Sequence, residues 1–270
     1  MDDQRFLRAC LLREQGKLSE AYDEFVQIAE SMADPLDKAG ALLYAANTLE
    51  MSGQCEAATA KLSAVRILME DYPKSERDER FAALQLFLDF EDANLFWLRG
   101  ENLKAALGRF DAVLRTCTLP SRDPRARDFY DAIQTRRAFV LADLGRWKEA
   151  LPILEGITSP LEYKEGISFY LGHCYLSALD YHRAEQKLTE ALKLGGLSRS
   201  LEYRAHCELG QTYYELQDYA QARRELEKCV ETADKSYLSD GMIWKYLEAT
   251  CRRLGLKNEA DNYAKLARPS

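Results

Sequence analysis

Residues 203–236 read YRAHCELGQTYYELQDYAQARRELEKCVETADKS, and this stretch sets the architecture of the whole chain. Its first half sets Leu209, Gly210 and Tyr213 at helical spacing in an L-G-x2-Y pattern. Its second half opens with a turn at Leu216–Asp218 and then places Ala222 and Leu226 four residues apart, which puts both on one face of a helix. An alanine carries nothing beyond Cβ, so a second helix can approach closely there. The stretch encodes two short helices joined by a turn, a hairpin whose apolar faces need neighbours on either side.

The turn-and-helix half recurs along the chain in both directions. It reads QGKLSEAYDEF at 15–25, SGQCEAATAKL at 52–62, LGRWKEALPIL at 144–154, ALDYHRAEQKL at 178–188 and LGLKNEADNYA at 254–264. A further copy, RGENLKAALGRF at 99–110, carries one extra residue. Gly16, Gly53, Gly145 and Gly255 fall where a helix must end, the position at which glycine relieves backbone strain. Each copy then has an alanine anchor: Ala21, Ala58, Ala106, Ala150, Ala184, Ala222 and Ala260. Four residues beyond it stands Phe25, Leu62, Phe110, Leu154, Leu188 or Leu226, and Ala264 in the last copy. The L-G-x2-Y element returns as Leu171, Gly172 and Tyr175.

The L-G-x2-Y pattern followed by A-x3-F/L resembles the tetratricopeptide repeat, a helix–turn–helix unit of about 34 residues. The resemblance covers essentially residues 2–268, with repeats near 2–35, 39–72, 87–120, 131–164, 165–198, 203–236 and 241–268. It implies an all-α fold, an α-α superhelix built as a right-handed solenoid of about seven helical hairpins in a single domain over 1–270. The two longest anchor-to-anchor steps run from Ala58 to Ala106 and from Ala106 to Ala150. They coincide with PKSERDERFAALQL at 73–86 and SRDPRARDFY at 121–130, both of which read as helix once past their prolines. The first helices of repeats three and four are therefore expected to be unusually long, with a locally distorted superhelix and a hinge, if any, at 121–126.

Composition bounds the function. The chain is 47% hydrophobic and 10% aromatic, enough for a large distributed core, and its 14 glycines and 7 prolines leave no flexible linker to be expected. A net charge of −7 argues against sequence-independent nucleic-acid binding. MDDQRFLRAC at the start lacks the pattern of a secretory leader, and FAALQLFLDF at 81–90 is too short to cross a membrane. A soluble, cytoplasmic protein is expected. The 7 cysteines are odd in number and not closely paired, so they read as small core residues rather than disulfides or zinc ligands.

Catalytic patterns are absent from the sequence. His173, His182 and His206 fall on different helices, and no phosphate-binding glycine loop, nucleophile elbow or zinc-binding histidine pair occurs. His173 and Cys174 are adjacent, but neighbours on a helix point about 100° apart and cannot meet as base and nucleophile. The expectation is a non-enzymatic protein that uses no cofactor and no metal.

The resemblance implies where binding would occur. In that family the first helix of each repeat lines a concave wall, and its inward positions carry over to Leu43, Tyr44 and Asn47 in repeat two and Glu91, Asp92 and Leu95 in repeat three. From repeat four onward the wall becomes aromatic and cationic, with Arg136, Phe139, Phe169, Tyr170, His173, Arg204, Gln211, Tyr214 and Tyr246. Rigid rings beside arginine are what binding hot spots contain, and Arg136 and Arg204 are read as grips for a carboxylate. No three successive repeats carry the Lys and Asn set of the family's chaperone-tail clamp. The expected function is a protein–protein interaction scaffold that binds a partner peptide or helix in the groove of repeats four to seven. The alternatives are a self-associating structural subunit, a homodimer through Phe6, Leu7 and Leu11 of the N-terminal repeat, and a sensor of a small ligand or peptide.

Overall fold

A computed structural model of the protein describes residues 3–100, 102–117, 124–157, 163–232 and 241–267, and all the elements found there are helices. They are α1 (Asp3–Glu14), α2 (Leu18–Ser31), α3 (Pro35–Met51), α4 (Cys55–Asp71), a short 3-10 turn (Lys74–Glu76), α5 (Glu79–Leu98), α6 (Leu103–Thr116) and α7 (Pro124–Asp143). They continue as α8 (Trp147–Gly156), α9 (Lys164–Ser177), α10 (Tyr181–Leu194), α11 (Arg199–Glu215), α12 (Tyr219–Thr232), α13 (Met242–Arg253) and α14 (Lys257–Leu266). The fold class is all-α, built from antiparallel helical hairpins, as the repeat pattern predicts.

The chain divides into two compact units, Met1–Val140 and Leu141–Ser270. The boundary lies inside α7 rather than at 121–126, of which residues 121–123 fall outside the described residues. The expected long helices are present: α5 and α7 each run for 20 residues, against 17 or fewer elsewhere. Asp78 starts α5, accepting hydrogen bonds from the backbone N–H groups of Arg80 and Phe81, both at 3.0 Å.

Every anchor alanine is fully buried. The turns between paired helices share one device. The residue after the helix adopts a left-handed conformation, and two backbone N–H groups reach back to close the helix end. At Gly16 these bonds run from Gly16 N to Arg13 O (3.0 Å) and from Lys17 N to Leu12 O (2.9 Å). Two turns do this without glycine, at Leu179 (φ 61°) and Gln217 (φ 63°). A side chain there costs about 1–2 kcal/mol. In both, the next residue is an aspartate that caps the following helix: Asp180 accepts from Arg183 N at 3.2 Å, and Asp218 from Gln221 N at 3.1 Å. Such a cap contributes about 1 kcal/mol. After Gly16, Gly53, Gly145 and Gly255 the corresponding residues Lys17, Gln54, Arg146 and Leu256 make no side-chain cap. At Gly100 (φ 67°) both features occur together, since Asn102 accepts from Ala105 N at 3.0 Å; at the other turns a capping aspartate stands beside a non-glycine residue and no cap beside a glycine.

The L-G-x2-Y glycines have a different cause. A Cβ on Gly172 would stand 2.6 Å from Leu188 Cγ and 3.0 Å from the Leu188 backbone nitrogen, and one on Gly210 would stand 2.6 Å from Leu226 Cγ. The leucine four residues after the anchor alanine fills the space that glycine leaves, so the two sequence motifs are the two sides of one contact.

Within the first unit, Asn47 and Glu91 among the inward positions of α3 and α5 are buried, with Glu50 and Asn94 beside them. Asn47 Nδ2 donates to Glu91 Oε1 at 3.1 Å, and Asn94 Nδ2 donates to Glu50 Oε1, two reciprocal Asn–Glu bonds between the same pair of helices. Arg13 Nη1 donates to Asn47 Oδ1 at 3.1 Å, extending the network to α1. Burial raises the pKa of both carboxyls. Glu91 rises well above the usual range because the charge of Glu50 adds to burial, with the Arg136 cation opposing both.

Replacing Gly172 or Gly210 by alanine is expected to destabilise the protein by about 1–3 kcal/mol through overpacking against leucine. Gly108, exposed within α6 with nothing within 4 Å of a built Cβ, is the control, and its alanine variant gains about 0.5–1 kcal/mol. Urea denaturation of the three variants checks the contrast, which fails if all three shift alike.

Candidate functional site

In the second unit the candidate wall is built from the first helices of its hairpins, α9, α11 and α13. The L-G-x2-Y contact fixes how α9 and α11 sit on their partners, and this turns Phe169, Tyr170 and His173 of α9 toward Arg204 and Glu208 of α11. Arg204 is the centre of the cluster. Its Nη1 donates to Asp143 Oδ1 at 3.1 Å, and the Tyr170 hydroxyl donates to the other oxygen of Asp143, also at 3.1 Å. The guanidinium lies 5.0 Å from the Phe169 ring centre and 5.8 Å from that of Tyr170, within cation–π range. His173 Nδ1 is 2.9 Å from Glu208 Oε1, which Arg204 also approaches at 3.9 Å.

The electrostatics follow from this arrangement. Burial pushes the Tyr170 hydroxyl well above its ordinary pKa, and the charge of Asp143 adds to that, so it remains a donor. Burial disfavours the charged form of His173, but the hydrogen bond and charge of Glu208 outweigh it, and its pKa is raised. With His173 protonated, two cations face two carboxylates. The neighbouring Cys174 thiol is pushed up to about 12 by burial and by the charges of Glu208 and Asp143, so it stays protonated at neutral pH.

This geometry corrects part of the sequence expectation. Phe169, Tyr170 and Phe139 do not face an open groove; they are exposed by only 0%, 1% and 1%. Phe169 is enclosed by the edge of Tyr170 at 5.0 Å, the His173 ring at 6.3 Å and the Arg204 cation. Phe139 packs on Trp97 at 5.9 Å in the first unit. Arg204 and Arg136 are not open grips for a carboxylate either. Arg204 holds Asp143, while Arg136 lies 5.8 Å from the rings of Trp97 and Phe139 and offsets the buried charge of Glu50 and Glu91. Asp143 is the residue that sequence reasoning missed. Placed at the end of α7 before Leu144–Gly145, it carries no signal that separates it from an ordinary solvated acid.

The remaining predicted residues are half-buried. Gln211 and Tyr214 lie on α11, and Tyr246 lies on α13 with Lys245 exposed beside it. The Tyr214 and Tyr246 rings meet edge to face at 5.9 Å, and Tyr214 meets Tyr219 at 5.5 Å. The structure therefore joins Gln211, Tyr214 and Tyr246 into one partly accessible strip, with His173 and Arg204 in the adjoining ion network. Arg136 and Phe139 belong to the first unit. The described cysteines are all free thiols, four of them buried. Among the described residues no group of acidic, histidine or cysteine side chains is arranged to hold a metal ion, and no helix is long and apolar enough to cross a membrane.

No family model matches the chain, and no curated protein matches it. Solved structures do. The apo form of the quorum sensor NprR from B. thuringiensis superposes with a TM-score of 0.67 at 15% identity, covering 98% of this chain and 73% of that one. The Cut9–Hcn1 hetero-tetramer of the APC/C gives 0.62 at 14% identity over 97% of this chain, which spans 45% of the matched chain. The pilF protein of Pseudomonas aeruginosa gives 0.55 at 15% identity, covering 86% and 91%. At these identities the likeness establishes the fold: the chain has the tetratricopeptide-like architecture that its repeats resemble.

Because the folded-state pKa of His173 lies above its unfolded value of about 6.5, its contribution to stability is complete below that pH and is lost as pH rises through the folded pKa. The thermal midpoint of the wild type is expected to exceed that of His173→Gln by more at pH 6 than at pH 8.5, the gap narrowing by roughly 2–4 °C. A gap that stays constant across this range rules out the protonated His173–Glu208 pair.

Proposed function

We propose that this protein is a non-enzymatic protein–protein interaction scaffold, and that its second unit receives a partner peptide or helix along the strip formed by Gln211, Tyr214 and Tyr246, with His173 and Arg204 at its edge. The observation that carries this reading is the half-exposed Tyr214–Tyr246 pair on neighbouring helices. Two rings in contact, with an amide beside them and a lysine at the margin, offer a partner apolar area at little cost in side-chain entropy. The ion network of Arg204, Asp143, His173 and Glu208 ties α11 to α9 and to the end of α7, so the α11 side of the strip is preorganised. Fold likeness supports the same reading, since Cut9 is found in a hetero-tetramer with Hcn1.

A photo-crosslinking amino acid at Lys245 tests this. It is expected to trap a partner in the source cell that the same amino acid at Arg224, exposed on α12, does not trap. The change Gln211→Arg with Tyr246→Ala should abolish that product while the helical circular dichroism is retained. Equal crosslinking from both positions, or a product indifferent to the double change, rejects the strip.

Self-association is the second reading, and one observation favours it. Leu7 and Leu11 of α1, one turn apart, are exposed by 61% and 54%. Phe6 belongs elsewhere, packing inward against Phe25 at 5.5 Å and Tyr44 at 4.8 Å. A dimer through α1 would sediment as such in the wild type and as a monomer in Leu7→Glu with Leu11→Glu. A wild-type monomer at high concentration removes this reading.

A further inference from the structure

The first unit contains a separate apolar groove with a volume of about 890 Å³. It exists because α5 and α7 are long. The extra N-terminal turns of α5 and the start of α7 extend past the hairpins they belong to, and the space between them is lined by Tyr44, Phe81, Leu86, Phe87, Phe129 and Tyr130. Three of these rings form a ladder: Tyr44 meets Phe87 at 5.7 Å, and Phe87 meets Phe129 at 5.9 Å. All six side chains are half-buried. Ala82 and Ala83, both exposed, also line the groove and leave its wall on α5 low.

The charged residues that line the groove are Glu79 and Asp89, both exposed. No cation pairs with either among the described residues; Asp89 accepts only from Gln85 Nε2, at 2.9 Å. They stand ten residues apart on α5, which places them about 15 Å apart along its axis. An apolar channel with an acid at each end of one wall is complementary to an apolar segment with basic residues at both ends. That segment needs its own backbone hydrogen bonds, because the helices forming the walls have no free edge to offer and the lining supplies few polar groups. A helix meets this requirement, and the two alanines allow helix axes to approach to about 8–10 Å.

We propose that this groove is a second docking surface, independent of the Tyr214–Tyr246 strip, and that its occupant is a short amphipathic helix of a partner protein with an apolar face and Lys or Arg near both ends. The helix lies along α5, its apolar face on Phe87, Phe129 and Leu86 and its cations over Glu79 and Asp89. Long rather than standard first helices in repeats three and four are what create the site.

Selection from a displayed library of twelve-residue peptides on the full chain tests this. Enriched peptides should carry helical apolar spacing flanked by Lys or Arg. Synthetic versions should bind Glu79→Gln with Asp89→Asn roughly two- to tenfold more weakly, lose further affinity as salt rises, and fail to bind Ala83→Trp, which fills the groove from an exposed position. Should the tryptophan variant lose its helical circular dichroism, the charge variants and the salt series still decide between binding in the groove and binding elsewhere. Tyr246→Ala should leave this binding unchanged, which separates its failure from failure of the strip. A library with no charge bias, binders indifferent to Ala83→Trp, or a wild-type dimer dispersed by Ala83→Trp would each overturn the proposal, the last by seating a second copy of the chain in the groove.

Discussion

How closely two antiparallel helices can approach at one alanine governs every other feature of this fold. Each of the seven anchors is fully enclosed, and the residue one turn later, a leucine or phenylalanine in six of them, is buried in those six. In two repeats that leucine occupies the volume where a Cβ of the preceding helix would otherwise be, against Gly172 and Gly210. Small residue, large residue and glycine act as one contact. Dispersion at such close range is collectively large and steep in distance, so the contact fixes the geometry of a hairpin as well as its stability. The positions of the functional side chains on α9 and α11 follow from it.

Turn chemistry is adjusted separately in each repeat. A left-handed residue ends the first helix in each turn between paired helices; at most of them it is glycine, and where it is Leu179 or Gln217 the cost is offset by an aspartate that caps the second helix. The pattern explains why Leu179 and Gln217 stand where other copies have glycine. Each local sequence deviates from the repeat and is compensated at the next residue, so the array tolerates variation without losing its hairpins.

Polar groups are buried along the inward faces of both units, and in each they bond one another across helices. Asn47 with Glu91 and Asn94 with Glu50 join α3 to α5 by two bonds that exist together in only one register. Asp143, Tyr170, Arg204, Glu208 and His173 play the corresponding part in the second unit. Such networks contribute little net stability once desolvation is counted, but an alternative register would strand buried charge. Their presence also changes the meaning of the wall. Of the arginines that the resemblance assigns to a partner's carboxylate, Arg204 already holds Asp143 of its own chain, and the charge of Arg136 already acts on the buried Glu50 and Glu91. What remains accessible is the neutral strip at Gln211, Tyr214 and Tyr246 and, in the first unit, the aromatic groove edged by Glu79 and Asp89.

Local sequence was enough to specify the helical hairpins, the burial of the anchor alanines and the unusual length of α5 and α7. These rest on contacts within a few turns of the chain: i, i+4 spacing, a turn residue, a capping acid at Asp78. Which residues on the wall can be reached was settled by packing between helices distant in the chain. Phe169 and Tyr214 both lie on the inward side of successive first helices, yet Phe169 is enclosed by Arg204, His173 and Tyr170 while Tyr214 stays half-exposed beside Tyr219 and Tyr246. Exposure depends on what the neighbouring helix brings across the gap, and the pairing of Arg204 with Asp143 spans 61 positions that no local pattern links.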